Sequence, residues 1–443
     1  MDSPRPSTNS PISEVKTFEW DEDSIDQYYS LIHPTFPLLP HSKPRLRQRL
    51  AAASITVREA LLEALYAAVR SNPSYPPKAG APKANPRRAC ELCVASQFES
   101  QDPRASVASS LLYLQTLILM ALEADNHGPV TMRGMSGGPP RAAWVGSAVG
   151  LAYSLKLHHN RGERFAQGDP DSDERLGRRA WWVLVVLDRW HAISTSSPLF
   201  IPDSNVVLLP EDQTMIGLTP FHLVRLSCIL GHLAEVFTTA DEIVSAASLN
   251  PYICRLLRGE LERFRESVEV VWGSLTLLHV AYYHVKLLTL RHNSSSEPRQ
   301  LLEPALRMAT MLDHSSMPIT PLNHHFAALA LITLVDLAEI DETRDEAWKG
   351  IQQLDEALKK RRGLATREDS VGWDRAIKDL ISTRVESRYT NLGGTPQQSG
   401  TGSLQHLAEL AIGDQSPAGG YRKRRGLDAG NLQKYGYLGS ILL

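Results

Sequence analysis

The chain has 443 residues, enough for one large helical unit or two to three domains, with 22% charged and 42% hydrophobic residues. Its 47 Lys and Arg balance 49 Asp and Glu, a formal net charge of -2 that excludes a basic coat drawing the whole chain to nucleic acid. Only four cysteines are present, too few for a disulfide-built secreted scaffold, so free thiols in a reducing compartment are expected.

The opening Met1-Asp2-Ser3-Pro4-Arg5-Pro6-Ser7 lacks the apolar core of a secretory signal. Residues 1–24 are polar and read as a flexible lead-in. Ser24 is placed to cap a short helix through Ile25, Tyr28 and Tyr29, and His33-Pro34-Thr35-Phe36-Pro37 then forces an extended segment, because proline disfavours helix before it. The Ala- and Leu-rich run 51–69 predicts a helix, which the prolines between Asn72 and Pro86 end in a loop.

Apolar positions recurring at three and four residues predict helices over 106–124, 141–158 and 173–194. Thr219-Pro220 and Thr320-Pro321 read as a capping Thr followed by Pro at the first helical position, predicting helices over 220–239 and 321–339. Further helices are expected over 253–271, 274–290, 297–312, 343–360 and 370–383. Strand-like alternation is nearly absent, so the class is all-α: a large multi-helix regulatory domain over 25–384, followed by a disordered low-complexity tail over 385–443. The longest apolar run, Leu111 to Leu122, contains Gln115 and Thr116 and falls short of the roughly 18–20 apolar residues that span a bilayer. No membrane partner is expected.

No catalytic residue, cofactor site or metal site is expected. A phosphate-binding Gly-rich loop followed by Lys-Ser/Thr and His-Glu-x-x-His are both missing from the sequence. Cys90 and Cys93 have the local spacing of a zinc motif, but no second pair completes four ligands, so they read as small apolar side chains on a helix. The neighbours His158-His159 and His324-His325 point about 100° apart on a helix, which argues for helix-end and surface histidines rather than chelation.

The one dense constellation is Glu174-Arg175-Leu176-Gly177-Arg178-Arg179-Ala180-Trp181-Trp182, continuing to Leu187-Asp188-Arg189. Helical spacing sets Arg178, Trp182, Val185 and Arg189 on one side and Trp181, Leu184 and Asp188 on the next. An acid among Trp, Leu and Val must be paired or hydrogen-bonded. Glu174, Arg178, Arg179, Trp181, Trp182, Asp188 and Arg189 therefore read as a structural signature that fixes helix register.

This signature resembles that of the fungal-specific transcription factor domain, the middle homology region of zinc-cluster regulators. The flanking order agrees: His33-Pro34-Thr35-Phe36-Pro37-Leu38 resembles the domain's opening motif, Trp144 through His158 its helix ending in Leu-Gly-Leu-His, and Ile201-Pro202-Asp203 through Pro210 the stretch after the Asp-Arg helix. Met317-Pro318-Ile319-Thr320-Pro321-Leu322-Asn323-His324-His325-Phe326 and Tyr435-Gly436-Tyr437-Leu438 are similar to a sugar-responsive subset, the xylanolytic activators and glucose-transport regulators.

The resemblance implies a nuclear regulator of transcription, active on carbohydrate or sugar-uptake genes, with co-regulators or the transcription machinery as partners and a homo- or heterodimer as its assembly. An adaptor that never contacts DNA is the alternative. Two positions depart from the family: Lys156 stands for the Gly of Leu-Gly-Leu-His, and Ser196-Ser197-Pro198 for Gly-Arg-Pro. The family's DNA-reading module takes six thiolates on two zinc ions, more than the cysteines here supply. DNA contact is expected only through a missing module or a partner chain. Arg422-Lys423-Arg424-Arg425 reads as a nuclear import cluster, and Lys359-Lys360-Arg361-Arg362 equally as a helix-end cap.

Overall fold

The computed structural model describes residues 20–72, 75, 85–100, 106–132, 138–159, 168–239, 251–293, 295–314, 317–360, 372–393 and 429–442. Among them the protein is all-α, with no strand. The lead-in before residue 20 and the basic cluster 422–425 lie outside the described residues.

The first helix, α1 (Glu22–Gln27), is capped by Asp21 rather than Ser24, and it continues as a π-turn over Tyr28–Ile32. Ser24 is instead fully buried and donates to Asp21 Oδ2, which also holds Arg70 at 2.6 Å. The expected helix over 51–69 is divided. α2 (Lys43–Ala52) ends at Ala53, and Ser54 caps α3 (Ile55–Ser71) by accepting from the Val57 amide at 3.3 Å.

α4 (Pro86–Ser100) carries Cys90 and Cys93, and all four cysteines are free thiols. α5 (Val107–Asn126) is long and apolar enough to cross a bilayer by length and composition, yet Leu111 to Asp125 are buried inside the helical body. α6 (Pro129–Met132) is a single turn, and α7 (Arg141–Ser154) stops four residues short of the predicted end. It stops because Lys156 adopts φ 57°, a left-handed turn that cannot continue the helix.

α8 (Asp173–Thr195) opens on a Ser172 cap and ends at Ser196, also left-handed at φ 54°. Lys156 and Ser196 are the only non-glycine residues with positive φ among the described residues, so two ordinary side chains carry left-handed strain.

After the short α9 (Asp212–Ile216), α10 (Leu218–Thr239) begins before Thr219, so that Thr is inside the first turn and not its cap. The expected helix 253–271 breaks into α11 (Pro251–Ser267) and α12 (Glu269–Trp272), where the Ser267 hydroxyl bonds back to Phe264 O. α13 (Thr276–Arg291), α14 (Pro298–Asp313), α15 (Asn323–Ala338) and α16 (Arg344–Lys359) follow close to expectation. Thr320 precedes α15 by a turn, accepting from the Leu322 amide and donating to Asn323. Lys359 and Lys360 at the end of α16 pair with Asp355 and Asp313, and Arg361 and Arg362 lie outside the described residues.

α17 (Trp373–Gly393) runs beyond residue 384, and α18 (Ala429–Ser440) lies within the segment expected as a disordered tail. The tail's terminus is helical because Leu432, Tyr437, Leu438 and Ile441 find a place to bury.

Packing makes two groups. α3, α4, α5 and α7 associate on one side, and α13 to α16 on the other. Between them α8 packs on α5, α7 and α10, and α10 leads to α13. α8 is buried almost throughout from Leu176 to Ser194. α18 bridges the end of α8 to α15.

Candidate functional site around the central helix

A helix as apolar as α8 would be featureless inside a protein if its charges did not select neighbours. Each charged signature residue in its interior does so: Arg179 holds the segment before α8, and Arg178, Asp188 and Arg189 hold the stretch after it.

Arg178 forks onto Asp212, Nε to Oδ1 and Nη2 to Oδ2, both at 2.9 Å, and donates a third bond to Val207 O. Its guanidinium lies 4.5 Å over the Trp182 ring. Arg179, fully buried, donates to Leu39 O at 3.1 Å, Asp171 Oδ1 at 2.9 Å and His41 Nε2 at 2.6 Å. Burial draws the Arg179 pKa below its usual value and Asp171 opposes this. The same burial and the Arg179 charge keep His41 below its usual range, in the neutral form that can accept.

Asp188 is wholly buried. It accepts from the Phe200 amide at 2.9 Å, the Ile201 amide at 3.1 Å and Arg189 at 2.7 Å. Burial pushes its carboxyl up, and these donors pull it back. Arg189 continues the network to Ile201 O and Asp203. Gly231 of α10 makes room for it, since a Cβ there would come within 2.5 Å of Arg189 Nε.

Trp181 and Trp182 are buried, and Trp181 meets the Tyr153 ring edge-on at 5.7 Å. Glu174 is exposed on the first turn of α8, where a carboxylate is favoured by the helix N-terminus. Sequence reasoning missed Asp171, Asp212 and Gly231. The only available signal was that two buried arginines need two acids.

Among the described residues this network ties the flanking segments to α8. The small cavity between Thr35, Phe36, Arg179, Trp182, Ile216 and Val224 has a volume of about 10 Å³, room for one water.

A second cluster lies at the start of α15. The expectation of surface positions for His324 and His325 is corrected here: His325 is fully buried, and the His324 side chain is only 12% exposed. His324 stacks on Trp373 with planes 7° apart and faces Asp125 at 3.4 Å. Asp125, His324 and His325 offer ligand atoms within 4.8 Å of one another, the spacing of a metal site. Arg141 already pairs with Asp125 at 2.8 Å. Burial would raise the Asp125 carboxyl, but Arg141 and His324 outweigh it and hold it at about 2. A guanidinium on the carboxylate and the amide-rich end of α15 both disfavour a second cation there.

His158 and His159, past the end of α7, stack at 3.9 Å and remain partly or fully exposed.

The central helix and its clamped motifs define a class of helical domain organised on one buried, charged helix. Residues 25–217, somewhat less than half of the chain, match the fungal specific transcription factor domain. Over 375 residues, 84% of its length, the chain is 41% identical to the "Uncharacterized transcriptional regulatory protein C320.03" of Schizosaccharomyces pombe. It spans 42% of that relative's length. No solved structure matches the chain.

Proposed function

We propose that this chain is the regulatory part of a nuclear transcription regulator, with residues 25–384 as one regulatory unit that transmits a signal to co-regulators or the transcription machinery. DNA is reached through a zinc-cluster module or a partner chain outside this sequence. The observation that carries the reading is the domain match at 25–217, whose three flanking motifs meet on α8 through Arg178, Arg179, Trp181, Asp188 and Arg189.

The finer reading is control of carbohydrate or sugar-uptake genes. It is supported by a contact between the two segments that resemble the sugar-responsive subset: His325 of the first and Tyr437 of the second hydrogen-bond at 2.7 Å across 112 residues of sequence.

A fusion of the full chain to a heterologous DNA-binding module tests both. A reporter carrying that module's site is expected to respond to the fusion, and to differ between a pentose or glucose medium and a carbon-neutral one. A reporter indifferent to the fusion in every medium would favour the adaptor reading, and a response independent of sugar would remove the finer one.

A further inference from the structure

The last described segment makes contacts unlike those of an ordinary packed helix. α18 is interrupted at Gly436, whose φ of 67° and ψ of 170° break the helix just before Tyr437. A Cβ on Gly436 would lie 2.1 Å from Ser194 O and 2.6 Å from Thr195 N, so backbone packs on backbone against the last turn of α8. Both the conformation and the approach require glycine.

Beyond the break, Tyr437 is 1% exposed. Its ring stands edge-on to His284 at 5.2 Å, and its hydroxyl meets His325 Nδ1 at 2.7 Å. On the other side of the break Ser196, itself left-handed, donates to Gln433 O. Two close backbone contacts, one aromatic anchor and flanking Leu432, Leu438 and Ile441 are how grooves recognise short peptides.

Three further observations separate this segment from the body. Thirty-five residues, 394–428, separate it from α17 in the sequence. Its contacts fall on α8 and α15 and on the α13 side chain His284, none of them adjacent in sequence. Beneath it, both ring nitrogens of His284 and Nε2 of His325 are buried without a hydrogen-bond partner. Those nitrogens would regain water if the segment lifted, which lowers the penalty for opening.

We propose that the groove formed by the end of α8 with α13 and α15 is a peptide-binding site, and that residues 429–442 are its tethered, exchangeable ligand, docking and undocking as a unit. The chemistry it selects is a small backbone-contacting glycine followed by a phenol and an aliphatic residue. A tether supplying an effective concentration of about 1 mM would keep a ligand of ~10 µM Kd closed about 100 to 1. A competing segment or a change near α15 could then open it. This inference stands whether or not the chain regulates transcription.

The test uses the full chain with a specific protease site placed near Gly400. After cleavage, a fluorescent peptide of residues 429–443 is added and its anisotropy followed. The cut protein is expected to exchange its own fragment for the peptide, and the uncut protein to bind at least 10-fold more weakly. Unlabelled peptide should compete, and peptides carrying Gly436→Ala or Tyr437→Phe should compete at least 10-fold less well. Because those changes are in the peptide, they leave the protein's folding untouched. Three results would overturn the proposal: a fragment that stays bound without exchange until the body unfolds, a cut protein that loses its fragment and binds no peptide, or equal competition by both altered peptides.

Discussion

Replacing Asp188 with Ala removes an acceptor from three donors at once. The amides of Phe200 and Ile201, at 2.9 and 3.1 Å, lose their partner, and Arg189 keeps only Ile201 O and Asp203. Asp188 and Arg189 side chains are both 0% exposed, so the guanidinium cannot turn to bulk water without local opening. Breaking one partner of such a pair costs about 3–5 kcal/mol, and each stranded amide about 1–3 kcal/mol where no water replaces the carboxylate. Water entering the space vacated by the carboxylate offsets part of the second figure, so the expected loss is about 4 kcal/mol. Urea unfolding followed by circular dichroism measures it as a fall in midpoint at unchanged slope. Arg189→Met should also destabilise, and the double substitution should cost less than the two single losses added, by at least ~1 kcal/mol. A loss below about 1 kcal/mol for Asp188→Ala, or strict additivity of the pair, would refute the clamp as the element fixing the loop after α8.

Four further outcomes are expected. Lys156→Gly should stabilise by about 0.5–1 kcal/mol, because the exposed Lys156 gives up left-handed strain and little else; Ser196→Gly should gain less, since the bond to Gln433 goes with it. Arg178→Lys should cost about 1–2 kcal/mol in the same urea assay, since an ammonium cannot reproduce the fork onto Asp212. Burial holds His191, His284 and His292 at about 3 against an ordinary 6.5, so the unfolded chain takes up protons first, and the stability present above pH 6.5 is lost as pH falls below it. Asp374, pushed by burial to about 7, acts in the opposite direction between pH 7 and 3.8, and the more numerous histidines outweigh it, so stability falls below pH 6; a urea midpoint unchanged from pH 7.5 to 5.5 would contradict this. Changing Arg422, Lys423, Arg424 and Arg425 to Ala should move a tagged chain from nucleus to cytoplasm, and an unchanged nuclear signal would clear that cluster of an import role.

Some of this was legible along the chain. The three- and four-residue apolar spacing of residues 173–194 determined that α8 is helical, and the presence of Asp188 between Leu187 and Arg189 demanded a buried partner. Both follow from local periodicity and from the cost of desolvating a charge, which do not depend on what lies elsewhere. The ends of elements were less legible. Asp21 took the cap that the spacing assigned to Ser24, and Ser54 capped a new helix inside the run 51–69 read as one, because a cap is decided by which of several nearby oxygens reaches a free amide.

Tertiary structure alone decided the rest. Asp212 and Asp171 lie on opposite flanks of α8 in sequence, and only folding shows which arginine each one meets. His324 and His325 read as helix-end and surface residues because adjacent side chains on a helix point about 100° apart and do not chelate as a pair. They are largely buried because α15 is enclosed on several sides, by Trp373 at one histidine and Tyr437 at the other. The tail's composition, Gly-rich and charged, argued for disorder over 385–443 as a whole. Four apolar side chains at its very end are too few to shift a composition, yet a groove made by α8, α13 and α15, distant in sequence, is enough to order them.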